Sequence, residues 1–172
     1  MIGVFGGSGF YELLADGQPV EVSTPYGAPA SPAMVGSIDG AEVAFMPRHV
    51  DNQEIPPQGI PYQANVWAMN ELGVTRIMAP TAVGSIYPAY APGEFVVPDQ
   101  LVDRTWGRPG TFYDGPTTHH IAFADPYCPE LRRRAMNAVE AVTGSGHDGG
   151  TTVVVQGPRF STRAESSSYA AA

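Results

Sequence analysis

The sequence predicts a single α/β domain with a central sheet flanked by helices, and three observations carry that prediction. Short strand-like apolar runs alternate along the chain with segments of helical apolar spacing, the order that builds a sheet covered by helices. Two of those runs end in loops of small residues, Gly6-Gly7-Ser8-Gly9 and Pro80-Thr81-Ala82-Val83-Gly84-Ser85. In sheets of this kind a ligand sits outside the carboxyl ends of the strands. The 172 residues are 43% hydrophobic, enough for one compact domain with a substantial core.

Residues 1–5 (MIGVF) are an apolar run broken by Gly6, Gly7 and Gly9, a buried strand followed by a turn whose backbone must come close to something. Residues 41–46 (AEVAFM) alternate as a strand does. A helix is predicted over 62–72, with apolar Tyr62, Val66, Met69 and Leu72 at helical spacing and Gly73 as its stop. Residues 74–79 are a second buried strand, closed by the small-residue run from Pro80 to Ser85. Strands are predicted again at 94–98 and 120–123. Pro129 begins a helix through Leu131, Ala135, Ala138, Val139 and Val142, and Gly144 stops it. The last strand is 152–156. Residues 24–32 and 52–61, dense in Pro and Gly, fit no regular element and read as surface excursions or lids. Residues 164–172 (AESSSYAAA) have the character of the first turns of a helix without a cap, so the domain, 1–172, is expected to continue past its last residue.

Composition removes several function classes. Seventeen acidic against nine basic residues give a net charge of −8 and an isoelectric point near 4.8. No long-range field then gathers nucleic acid or an anionic membrane surface, and neither is an expected partner. All nine basic residues are Arg. Without lysine there is no Schiff base to pyridoxal phosphate or a carbonyl substrate, and no P-loop lysine on a β/γ-phosphate. The one cysteine, Cys128, excludes an internal disulfide, a CxxC redox pair and a multi-cysteine zinc site, which fits a cytoplasmic chain. No apolar run reaches membrane-spanning length, and residues 1–5 enter a strand without a basic leader or cleavage site. His49, His119, His120 and His147 lack the spacing of metal ligands, so no metal is expected. No serine stands in GxSxG, which argues against a serine nucleophile.

Three features suited to an anion remain, each with a plainer reading beside it. The Gly6-Gly7-Ser8-Gly9 loop offers backbone N–H groups and the Ser8 hydroxyl to a small oxyanion, or is a tight turn that needs only its glycines. Arg48-His49, just past a strand, offers a bidentate contact and a second donor, or a surface ion pair and a structural histidine. Thr81-Ala82 adds a hydroxyl and an amide, or is a plain turn. Three strand ends carrying anion donors in an acidic chain are explained together by one site for inorganic phosphate or a phosphomonoester. Phe160, after Gln156-Gly157-Pro158-Arg159, either stacks on a flat ring or belongs to the core. With His119-His120 at the head of a predicted strand, only one of the two faces any given pocket.

Taken in order, GVFGGSGFY (3–11), PRH (47–49), YQANVWA (62–68), TAVGS (81–85), VVPDQLVDRT (96–105), HHIAFADPYCP (119–129) and QGPRFSTRAES (156–166) resemble the purine nucleoside phosphorylase family. The likeness covers essentially the whole chain and is to the methylthioadenosine phosphorylase branch, in an actinobacterial-looking form. It implies a nucleoside phosphorylase-like domain with a mixed central sheet. It also implies a pentosyl transfer in which phosphate attacks C1′ of S-methyl-5′-thioadenosine, giving adenine and 5-methylthioribose 1-phosphate. By the matching positions, Ser8, Arg48, His49, Thr81 and Ala82 hold phosphate, and Val83, Gly84 and Phe160 form part of the nucleoside pocket. His120 is lent to the 5′-group of a neighbouring subunit in a homotrimer. Phosphate is a co-substrate, and no cofactor is implied.

The chain departs from the family pattern after the Arg-His pair, where Val50 replaces the usual Gly and Asp51-Asn52-Gln53 replaces a commonly histidine-bearing stretch. A β-branched residue resists the positive φ that Gly allows. The family's Met-Thr-x-x-Pro-Glu segment and the residue that reads the purine fall past residue 172, so 6-amino and 6-oxo purines are not separated here. The alternatives are therefore a 6-oxopurine or methylthioinosine phosphorylase and a non-catalytic purine- or phosphate-binding homologue. Dinucleotide binding is disfavoured because GGSGF lacks the third glycine of that fingerprint.

Overall fold

The computed structural model describes residues 1–7, 10, 13, 14, 16–49 and 55–172. Two compact units emerge, Met1–Val83 with Pro109–Phe112, and Gly84–Arg108 with Tyr113–Ala172. In the first, strands β1 (Ile2–Gly6), β2 (Gln18–Val20), β3 (Ala33–Ile38), β4 (Ala41–Pro47) and β5 (Arg76–Met78) form a sheet in the order β2-β3-β4-β1-β5. β1 runs parallel to β4 and β5, whereas β3 is antiparallel to both β4 and β2, so the sheet is mixed. The β3–β4 hairpin closes through Asp39-Gly40, both at positive φ, the twist-matched turn that Asp-Gly favours.

β4 is buried on both faces and sorts its side chains with the strand period of two. Val43 and Phe45 join Val4 and Leu14 on one side, while Ala44 and Met46 join Ala33, Ala68, Met69 and Val74 on the other. Helix α1 (Tyr62–Glu71) lies on the second cluster and ends at Gly73, φ 80°, as its sequence predicts. The face it buries is only partly the predicted one: Met69 is buried and Leu72 packs against the core, but Val66 faces out. Ala64, Asn65, Ala68 and Met69 point inward and Val66 is 39% exposed, because the small alanines let the helix approach the sheet closely. β5 is shorter than predicted, and Arg76, Ile77 and Met78 are all exposed, since β5 is the edge strand of the sheet.

The second unit contains β6 (Val96–Val97), β7 (Gln100–Arg104), α2 (Pro129–Thr143), β8 (His147–Asp148), β9 (Thr151–Val155) and α3 (Arg163–Ala171). β6 pairs in parallel with β8 and β7 with β9, α2 forming the crossover. Pro129 starts α2, and Gly144 at φ 80° ends it by donating its N–H to Glu140 O at 2.9 Å. Met136 is buried while Val142 is 85% exposed, so the inward stripe is narrower than the apolar spacing predicts. Arg132 ties the helix to the strands, its Nε donating to Pro98 O at 2.9 Å and its Nη2 pairing with Asp148 at 2.5 Å. The strand predicted at 120–123 is absent: these residues are irregular and exposed, because alternating apolar residues make a strand only where a neighbour completes the ladder. The C-terminal segment is a helix, but it is capped. Thr162 Oγ1 accepts from the Glu165 N–H and Glu165 Oε2 accepts from the Thr162 N–H, a full capping box. Arg159 grips the same carboxylate through both Nη atoms at 2.8 and 2.9 Å, and its hydrogen bonds hold the Glu165 pKa down to about 2.

Gly3 stands where β1 meets the end of α1: a Cβ there would lie 2.7 Å from Val74 Cγ1 and 3.4 Å from Met69 Sδ. Gly3→Ala is expected to lower stability by about 1–3 kcal/mol, the usual effect of overpacking. In urea unfolding it should shift the midpoint and leave the m-value unchanged.

Candidate functional site

The carboxyl ends of three adjacent parallel strands, β4, β1 and β5, lie side by side with Gly6 opposite Pro47 and Val4 opposite Met78. Each releases the chain into one of the segments singled out in the sequence. Past β1 comes Gly7, past β4 the pair Arg48-His49, and past β5 Thr81-Ala82. Arg48 knits the three ends together. Its backbone N–H donates to Gly6 O at 2.9 Å, which extends the β1–β4 ladder one step. Its Nη2 donates to Thr81 Oγ1 at 3.0 Å. Its guanidinium also lies directly over Gly7, where a side chain would collide with Nη2. Gly7 is therefore required for the close approach itself.

Among the described residues the charge of this arrangement is unbalanced. Arg48 Nε is buried and has no hydrogen-bond partner among the described residues. None of the ion pairs of the described residues involves Arg48. A guanidinium with a buried, unsatisfied N–H is costly, and an oxyanion would supply the acceptor and the counter-charge that the described residues do not. His49 is held by its neighbour Ile55: Nδ1 lies 3.2 Å from Ile55 O, and the Ile55 N–H donates to His49 O at 3.3 Å. With Nδ1–H committed to that carbonyl, Nε2 is the ring atom left for a ligand. Sequence reasoning missed Ile55, whose part is played by the backbone and carries no side-chain signature. Ser8 and Val50 lie outside the described residues.

The remaining predicted site residues are placed but not gathered by hydrogen bonds. Val83 (69% exposed) and Gly84 continue the open segment after Thr81-Ala82. Phe160 is 91% exposed, which removes its reading as a core residue. His120 sits in the irregular stretch rather than in a strand, so the argument from opposite strand faces does not apply to it. Its neighbours Ile121 and Phe123 are 70% and 61% exposed. His147 belongs to another cluster, its ring stacked on Tyr90 at 4.0 Å and its Nε2 hydrogen-bonded to Glu94 at 2.7 Å. That bond, with a lesser one from the Ala91 N–H, holds the Glu94 carboxyl below the usual carboxylate range. Among the described residues no group of three or more His, Cys, Asp or Glu could hold a metal ion, and no helix is long and apolar enough to cross a membrane.

Known proteins carry the same chain pattern. An S-methyl-5′-thioadenosine phosphorylase of Mycolicibacterium smegmatis is 54% identical over 171 residues, covering 99% of this chain and 64% of the relative. A purine nucleoside phosphorylase of Streptomyces coelicolor is 48% identical over 173 residues, covering 96% of this chain and 62% of the relative. The chain thus spans about 64% of the length of the curated relatives it matches. Among solved structures, methylthioadenosine phosphorylase from Schistosoma mansoni in complex with adenine superposes with a TM-score of 0.89 at 33% identity, over 99% of this chain and 70% of that one. The family model described as the phosphorylase superfamily matches residues 1–172, and the chain, with its mixed sheet, belongs to that superfamily.

Proposed function

We propose that this protein is a cytoplasmic pentosyltransferase that cleaves S-methyl-5′-thioadenosine with inorganic phosphate to adenine and 5-methylthioribose 1-phosphate. The observation that carries it is Arg48, a guanidinium at the junction of three strand ends that has no ion pair and keeps a buried N–H without a partner among the described residues. The relatives' names supply the substrate class. In this reading Ser8, Arg48, His49, Thr81 and Ala82 hold phosphate, with Val83, Gly84 and Phe160 beside the nucleoside. A phosphate oxygen forms a bond to C1′ as the bond from C1′ to the purine nitrogen breaks. The electron pair leaves with the base, which takes up a proton. The ribosyl carbon passes through an oxocarbenium-like state, so a fixed anion both stabilises its charge and serves as nucleophile. Phosphate is a co-substrate, and the chemistry asks for no metal or cofactor.

The same reading makes the protein a homotrimer in which His120 serves the 5′-group of a neighbouring subunit. Exposed Ile121 and Phe123 beside His120 support this, since large apolar side chains left open on one chain mark surfaces that another chain covers. A second substrate is kept because one relative is named a purine nucleoside phosphorylase, which favours a 6-oxopurine or methylthioinosine as runner-up.

Arg48→Ala is expected to raise the KM for phosphate and lower kcat/KM by about thirty- to a thousandfold, the loss of a charge-assisted contact of about 2–4 kcal/mol. Steady-state assays with unchanged phosphate dependence would remove the phosphate site. Side-by-side phosphorolysis of methylthioadenosine, adenosine, inosine and methylthioinosine should favour a 5′-methylthio substrate by roughly tenfold to a few hundredfold, the range an apolar pocket provides. Faster turnover of inosine than of either methylthio substrate would overturn the 5′-group assignment, and preference for methylthioinosine would move the enzyme to its runner-up. Mixing His120→Ala subunits with Arg48→Ala subunits should regenerate activity through complementary sites. An active monomer in sedimentation would exclude the shared site.

A further inference from the structure

Gln156 fastens the end of β9 to the segment that follows β7. Its Oε1 accepts from the Trp106 N–H at 3.3 Å and from Arg108 Nε at 3.2 Å, and its Nε2 donates to Gly157 O at 3.2 Å. Further on, the Thr162–Glu165 capping box starts α3, and the Ser161 and Ser166 hydroxyls meet at 2.8 Å beside it. The span between these two anchors has no strand or helix of its own, and it carries Phe160, 91% exposed. Packing does not hold that ring, so its placement comes from the backbone that bears it.

Arg159 grips that backbone. Its Nη1 donates to Phe160 O at 2.9 Å and to Glu165 Oε2 at 2.9 Å, while its Nη2 donates to Glu165 Oε1 at 2.8 Å. The planar fork thus meets the carboxylate bidentately and takes the Phe160 carbonyl as well, a geometry that a lysine does not reproduce. Glu165 is itself fixed, since its Oε2 also accepts from the Thr162 N–H at 2.6 Å. An ion pair this open to solvent adds little stability, and its effect is on geometry. Every residue of the clamp belongs to the second unit.

We propose that Arg159 is a positioning residue for the reaction: by fastening the Phe160 carbonyl to the Glu165 carboxylate, it sets the direction in which the Phe160 ring meets the base of the nucleoside. This rests on the role given to Phe160 under the proposed function. An aromatic ring that stacks on a flat base gains from being held in advance, because an unfastened segment is ordered at the expense of substrate binding. Arg48, His49 and Thr81 take no part in the clamp's hydrogen bonds, so the loss falls on the nucleoside and not on phosphate.

The test is a double-mutant cycle on the purified protein with methylthioadenosine and phosphate varied separately, melting curves being recorded for each variant. Arg159→Ala is expected to raise the KM for methylthioadenosine about fivefold, with the KM for phosphate and kcat nearly unchanged. Glu165→Gln, whose amide oxygen still accepts from the Thr162 N–H, should do the same. In the Phe160→Ala background, Arg159→Ala should add little, since the two act through one ring. Thr162→Ala, which removes the cap hydroxyl and no part of the clamp, should lower the melting temperature and leave the KM for methylthioadenosine unchanged. Additive effects, equal losses in both KM values, or a Thr162→Ala loss as large as that of Arg159→Ala would overturn the proposal. If Phe160→Ala weakens methylthioadenosine binding and Arg159→Ala does not, the clamp fails while the role of Phe160 stands. If Phe160→Ala has no effect, that role fails and the clamp with it. Should Arg159→Ala melt at markedly lower temperature, Arg159→Lys, which keeps the charge beside Glu165 but loses the fork, is judged by the same cycle.

Discussion

The central position of β1 between two parallel neighbours is the constraint on which the first unit depends. A parallel strand buried on both faces needs small residues wherever helix or neighbouring rings come close, and β1 supplies Gly3 under Val74 and Gly6 against the Phe45 ring. That narrow strand brings the carboxyl ends of β4, β1 and β5 into one row. Because side chains alternate with a period of two, a slip of one residue in the β1–β4 register would turn Val43 and Phe45 out of their cluster and move Arg48 off Gly6. Core packing and the placement of Arg48 beside Gly6 are consequences of the same ladder.

Arg48 shows how much of the site's energy is held by a single group. In a chain of net charge −8, a guanidinium would ordinarily find a carboxylate. Among the described residues its side chain bonds a hydroxyl and lies over a glycine, with one buried N–H left over. Incomplete satisfaction of this kind is disfavoured in a purely structural role and fits a place where a ligand completes the set. The other arginines of the described ion pairs are matched: Arg132 by Asp148, Arg134 by Glu130 and Arg159 by Glu165, the last two on helical or capping geometry.

Much of this architecture was legible in local sequence. The strands at 1–5, 41–46 and 152–156 and the helices at 62 and 129 appear within a residue or two of the positions that periodicity and Gly or Pro punctuation predict. The β3–β4 hairpin carries a readable local signal, Asp39-Gly40 between apolar runs, although Gly36 and Ser37 break the alternation of β3. The strand expected at 120–123 and the buried character expected of residues 76–78 fail for a common reason, while Val74 is buried as expected. Apolar alternation reports what a segment could bury, whereas burial is decided by which partner arrives.

What the sequence by itself determined is the set of donors and their place in chain order: glycines after the first strand, Arg48-His49 after another, Thr81 after a third, no lysine and a lone cysteine. These are properties of residue type and short spacing, which local chemistry dictates. Only the tertiary structure decided that Arg48 bonds Thr81 across 33 residues, lies on Gly7 and keeps a buried N–H unpaired among the described residues. Such facts depend on strand order and register, which follow from how distant apolar faces are buried together, and no local pattern encodes that pairing.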